Sequence, residues 1–170
     1  ALAQNDVSIW FKANQGEVSL IPWYVYGNEH FTVDTRYNFD QPKTLTFFVG
    51  RAFGEKLIIT PYVGFMIGDC RGSSVQMNMF RANGRFSLFS LNQYAWMNGS
   101  PDFAYHWTDV LVRVNGMLGL GFDEQVYKEP RSDYFVDFGP VAKFFVGSQV
   151  YIKVWGTVDP WHNWDRKLFV

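Results

Sequence analysis

The sequence predicts an all-β fold: an antiparallel up-and-down transmembrane β-barrel of about twelve strands, with residues 1–170 forming a single β-barrel domain. Three observations lead there. Apolar and polar residues alternate with period two over segments of about ten residues. Turn dipeptides separate these segments, and short connections alternate with longer ones. The composition is 48% hydrophobic and 19% aromatic but only 18% charged, below the roughly 25% charged residues of soluble domains.

Taken in order, strands are expected near residues 7–14, 17–26, 30–40, 44–53, 57–68, 73–82, 85–97, 102–115, 117–126, 133–146, 149–159 and 166–170. The clearest pair runs from Asp133 to Asp159 and turns at Gly147-Ser148. Val136, Phe138, Pro140, Ala142, Phe144 and Val146 share one uncharged face, opposite Asp137, Gly139 and Lys143. Val150, Ile152, Val154 and Val158 continue that face, opposite Tyr151, Lys153, Trp155 and Thr157. Elsewhere Leu57, Ile59, Val63, Phe65 and Ile67 oppose Thr60, Tyr62 and Gly64. Val75, Met77 and Met79 oppose Gln76 and Asn78; Thr108, Val110, Val112 and Val114 oppose Asp109, Arg113 and Asn115; Leu118, Leu120 and Phe122 oppose Gly119 and Gly121. A purely apolar face is what a barrel wall against hydrocarbon requires. Residues 85–97 alternate poorly, which suggests a bulge or a mixed environment. Pro22, Pro61 and Pro140 mark bulges or strand ends.

The even-numbered connections are Gly27-Asn28, Gly54-Glu55, Asn83-Gly84, Asn115-Gly116 and Gly147-Ser148, all tight-turn dipeptides. The odd-numbered ones include longer stretches at residues 40–43, 69–72, 98–101, 123–132 and 160–165. A soluble meander has no reason to sort its loops by parity; an outer-membrane barrel does. Trp23, Tyr24 and Tyr26, Tyr94 and Trp96, Phe103, Tyr105 and Trp107, and Trp155, Trp161 and Trp164 fall near strand ends, where interfacial girdles form.

A net charge of −1 provides no field for nucleic acid, which is not an expected partner. No run of eighteen apolar residues exists, which excludes a membrane helix. The lone Cys70 has no partner for an intrachain disulfide. Ala1-Leu2-Ala3 resembles the A-x-A end of a signal peptide and supports export. The expected location is the bacterial outer membrane, with membrane lipid as partner.

Thr35-Arg36-Tyr37-Asn38-Phe39-Asp40, then Val49-Gly50-Arg51-Ala52-Phe53-Gly54 and Thr60-Pro61-Tyr62-Val63-Gly64, resemble a group of uncharacterised bacterial exported β-barrel-like proteins. Phe103-Ala104-Tyr105-His106-Trp107-Thr108-Asp109 resembles a later stretch of the same group. The resemblance covers roughly residues 30–125 and implies an exported β protein without naming an activity. A second resemblance, to small outer-membrane barrels, rests on architecture.

If the apolar faces look outward, the lumen receives Lys12, Asp34, Arg36, Asn38, Gln76, Asn78, Asp109, Arg113, Asp137, Lys143 and Lys153. Interleaved charges there either form a polar binding site in a narrow pore or pair into a network that fills it. The slight basic surplus, beside Trp10, Tyr62, Trp107 and Trp155, favours small anionic or sugar-like solutes. Three functions stay open: a narrow channel for small polar solutes; a non-conducting accessory barrel packed among other outer-membrane proteins; and a soluble lipocalin-like carrier with the apolar face turned inward.

An enzyme is not the expected reading, with a lipid-modifying barrel enzyme kept as the minor alternative, and no cofactor or metal is expected. His30, His106 and His162 are the only histidines, and no serine stands beside any of them in the sequence. His106 shares parity with Val110 and Val112 and should face outward; Asp159, His162 and Asp165 read as a solvated loop rather than a cation site.

Overall fold

The computed structural model describes residues 4–14, 17–38, 43–130, 134–145, 151–159 and 165–169. The strands are β1 (Gln4–Asn14), β2 (Glu17–Gly27), β3 (Thr32–Asn38), β4 (Thr44–Gly50), β5 (Ile58–Gly68) and β6 (Gly72–Asn83). They continue as β7 (Phe86–Met97), β8 (Phe103–Arg113), β9 (Leu118–Lys128), β10 (Tyr134–Phe145), β11 (Tyr151–Asp159) and β12 (Asp165–Phe169). Each pairs antiparallel with its neighbour in the chain, and β12 pairs with β1, closing the sheet into a barrel. Closure leaves no strand edge bare. The seam consists of Lys12 with Phe169, Ala13 with Leu168 and Asn14 with Lys167.

Side-chain parity follows the sequence pattern. Val63 is 66% exposed and its neighbour Tyr62 only 4%, which fixes the outward and inward faces of β5. Val112, Leu120, Phe122, Phe144 and Ile152 likewise stand outward, while Asp109, Asp123, Val141 and Trp155 are buried inside. A soluble carrier would need the reverse arrangement, with the apolar row lining a cavity.

Local chemistry explains the turns. Asn28 Oδ1 accepts the backbone N–H groups of His30 and Phe31 at 2.8 and 3.0 Å. Asn115 Oδ1 does the same for Met117 and Leu118 at 2.8 and 2.9 Å. These Asx turns satisfy donors that the ladder no longer serves. Gly84 has φ +57°, a left-handed conformation that suits glycine after Asn83. The β4–β5 connection is longer than a dipeptide: pairing runs on through Phe53 and Ile59 before the chain turns at Gly54, φ +96°. Loop length is therefore less cleanly sorted by parity than the dipeptides suggest. Gly147-Ser148 lies outside the described residues, as do Ala1-Leu2-Ala3 and residues 160–164.

The prolines are neither bulges nor strand ends. Pro22, Pro61 and Pro140 pair in register with Ile9, Met77 and Phe122. Pro61 lies within the continued β4–β5 pairing: its carbonyl accepts Arg51 N–H at 3.4 Å, and only the reciprocal bond is missing. Pro22 and Pro140 sit where one flank of the strand is open: pairing of β2 to β3 stops at Trp23, and that of β10 to β11 omits Gly139 and Pro140. A missing N–H costs little there. Strand β7 also holds unbroken register with β6 and β8, so its poor alternation is not a bulge. Its cause is chemical: Leu91 and Ala95 are buried on the lumen side, while Asn92 shares the outward face with Tyr94.

Inside, aromatic rings fill space left by glycines. Phe48 pairs with Gly64 and its ring lies against that glycine, wholly buried. A Cβ on Gly64 would meet both the Phe48 ring and the Phe47 carbonyl.

Candidate functional site

The described lumen is organised around two carboxylates. Asp34, on β3, is wholly buried. It accepts Trp23 Nε1–H at 2.7 Å and Gln76 Nε2–H at 2.9 Å, with Arg36 Nε at 3.7 Å. Arg36 in turn donates to Gln76 Oε1 at 2.6 Å and Gln93 Oε1 at 3.5 Å. Asp123, on β9, is equally buried. It accepts Trp107 Nε1–H at 2.5 Å and Gln125 Nε2–H at 3.1 Å, with Lys153 Nζ at 3.6 Å. Lys153 also holds Asp109 at 2.8 Å.

The two halves repeat one plan: a carboxylate, an indole N–H, a primary amide and a cation. Burying a carboxylate is tolerable only with such a complete set of donors. Both cations also face aromatic rings. Arg36 lies 5.4 Å from the Trp23 ring centre, and Lys153 lies 4.9 and 4.5 Å from those of Trp107 and Trp155. The halves meet where the Trp23 and Trp107 rings stand 6.0 Å apart, with Phe89 against both.

Other lumen candidates lie apart from this centre. Arg113 Cζ sits 4.0 Å over the Phe145 ring, and Lys143 Nζ sits 3.4 Å from the Tyr151 ring centre. Both belong to the end of the barrel where β8 turns into β9. Asp137 is half-buried and pairs in register with Gln125. Asn78 accepts a bond from Gln76 Nε2 at 3.1 Å. The side chains of Lys12 and Asn38 lie outside the described ones, as do those of Asp159 and Asp165.

Several residues of the centre escape a sequence reading. Asp123 looks like part of an acidic loop with Glu124 and Glu129, yet it stands inside β9. Its shared parity with Gly119 and Gly121 is the signal that places it indoors. Trp23 looks like a girdle residue but points inward; Trp107 and Trp155, which the sequence sets both near strand ends and beside the lumen, point inward too, and each indole meets a charge or a ring. Tyr24, Tyr94 and Trp96 do stand outward as a girdle requires. Gln93 and Gln125 carry no signal beyond parity.

A closed antiparallel barrel, apolar outside and polar within, is an architecture that porins share. The comparison with solved structures agrees. The chain superposes on the NanC porin in its rhombohedral crystal form with a TM-score of 0.72, at 8% identity, over 98% of this chain and 97% of that one. It also resembles a porin refined at 1.8 Å, with a TM-score of 0.58 and 11% identity, over 89% of this chain but 60% of that one. At these identities the likeness is one of fold. No family model and no curated protein matches the sequence.

Proposed function

We propose that this chain is a porin-like barrel of the bacterial outer membrane whose lumen is closed by its own side chains. It acts as a non-conducting wall element that packs among other outer-membrane proteins. The Trp23–Trp107 contact carries this reading. Strand β2 lies six places from β8 in either direction around the ring, so the two rings meet from opposite walls. The exposed apolar belt supports the membrane assignment, because an aqueous protein rarely shows so continuous an apolar surface. Reconstitution in planar bilayers tests it: the wild-type barrel should show no step conductance, and regular steps would overturn the closed state. Fractionation of native membranes should place the chain with the outer membrane.

A second reading, a narrow channel for small polar solutes, is favoured by one observation. Arg36 and Lys153 line the same constriction as the two tryptophans, which gives the centre a cationic, aromatic character suited to small anionic or sugar-like solutes. Steps with anion preference in the same bilayers would decide for it.

A further inference from the structure

The outward face of β7 and β8 carries four polar side chains, and Glu124 of β9, the register partner of Thr108, adds a carboxylate beside them, on a wall otherwise mostly of valine, leucine, methionine and phenylalanine. Asn92 Oδ1 lies 2.7 Å from His106 Nδ1, and His106 Nε2 lies 2.8 Å from Thr108 Oγ1. Ser90 Oγ closes the ring, 3.3 Å from Asn92 Nδ2 and 3.5 Å from Thr108 Oγ1. The amide orientation sets the protons. An Asn carbonyl only accepts, so Nδ1 of His106 carries the hydrogen and Nε2 is left as an acceptor for the Thr108 hydroxyl. A hydroxyl, an imidazole that can take its proton, and a third group fixing the imidazole's tautomer together form the arrangement that activates a nucleophile.

The surroundings suit an acyl lipid. A groove of about 670 Å³ crosses the outer wall from β5 to β10. Tyr94, Lys128 and Tyr134 stand on one side of it, and Met77, Asn92 and His106 on the other. Tyr94 and Trp96 pack edge to face at 5.0 Å, and Lys128 Nζ lies 4.5 Å from the Tyr134 ring. Amphipathic rings and a cation settle at headgroup level. The imidazole therefore lies one residue pair deeper, at the depth of the ester carbonyls that link headgroup to chain. Polar groups on a hydrocarbon-facing wall are costly and mark function more often than packing.

We propose that Thr108, His106 and Asn92 form an outward-facing hydrolytic site that cleaves acyl esters of membrane glycerophospholipids. Thr108 Oγ1 attacks the ester carbonyl carbon while His106 Nε2 takes its proton. The tetrahedral adduct collapses, the bond to the glycerol oxygen breaks, and His106 returns the proton to that oxygen. Water then attacks the acyl–Thr108 ester, giving its proton to His106. The fatty acid leaves, and the proton returns to Thr108. Asn92 acts as a positioning residue, and Ser90 can donate its hydroxyl hydrogen to the oxyanion.

The test uses the full chain folded in mixed micelles of detergent and palmitoyl-oleoyl phosphatidylethanolamine, with fatty-acid release as the readout. Wild type should release fatty acid, and Thr108→Val and His106→Phe should each lower the rate at least about 100-fold. Asn92→Leu should lower kcat more than KM. A fluorophosphonate ester should label wild type at Thr108 by mass spectrometry and leave Thr108→Val unlabelled. Heat-modifiable migration on gels confirms that each variant is folded. No release above protein-free micelles, or equal release by folded Thr108→Val, overturns the site. A reversible dimer that His106→Phe abolishes, without any hydrolysis, overturns it too and makes this patch a contact between barrels.

Discussion

The indole rings of Trp23 and Trp107 stand 6.0 Å apart although their strands are six places apart around a ring of twelve. Each indole also donates to its own buried carboxylate, Asp34 or Asp123. This contact, with the Phe89 ring against both indoles, joins the two polar clusters and spans the lumen.

Removing both rings should open a path. Trp23→Ala combined with Trp107→Ala should turn a silent barrel into one with measurable step conductance in planar bilayers. Either single variant should give a smaller or unsteady current, because the remaining ring still occupies the centre. A double variant as silent as wild type would mean that other side chains complete the plug.

Lys153 is the shared cation of two buried carboxylates, Asp109 and Asp123. Lys153→Met keeps much of the packing but leaves both acids without it. Breaking a buried pair from one side costs about 3–5 kcal/mol. Urea unfolding in vesicles should show a loss of that order, and a second change, Asp109→Asn, should recover part of it.

Gly64→Ala should be disproportionately harmful for one methyl group. The new Cβ would meet the Phe47 carbonyl, which the sheet holds in place, as well as the Phe48 ring. Overpacking of this kind costs about 1–3 kcal/mol. The same measurement should show Gly116→Ala close to neutral, since nothing lies near its Cβ.

Cys70 lies in the connection between β5 and β6, and burial, with Asp69 and Glu129 adding to it, pushes its thiol above the usual range. A hydrogen bond with Thr44 works the other way. A raised value means less thiolate at neutral pH and slower alkylation. Iodoacetamide labelling should therefore lag behind a free cysteine at pH 7. Its rate should keep rising at pH values where the free thiol has levelled off.

The wall was largely legible in the sequence because one rule governs it. Period-two alternation from Leu57 to Ile67, or from Leu118 to Phe122, needs no tertiary information to be read. The lumen was harder. Parity places Asp34, Arg36 and Asp109 on the inner face, but nothing local says that Arg36 on β3 reaches Gln76 on β6. Tryptophan misled for a physical reason: its ring suits an interface and its N–H suits a buried acid, and sequence spacing does not choose between them. The ring of Ser90, Asn92, His106 and Thr108 was hidden in the same way. His106 reads correctly as outward, but its hydroxyl partner is two residues along its own strand and its amide partner is on the next.

The donors around Asp34 come from strands as far apart as β2 and β6, and those around Asp123 from β8, β9 and β11. No single hairpin can shelter either acid. Until most of the cylinder has formed, both carboxylates must stay hydrated, so burying them early is penalised. These acids work like a latch on a hoop: they reward the finished ring and give half-assembled wall little reason to persist.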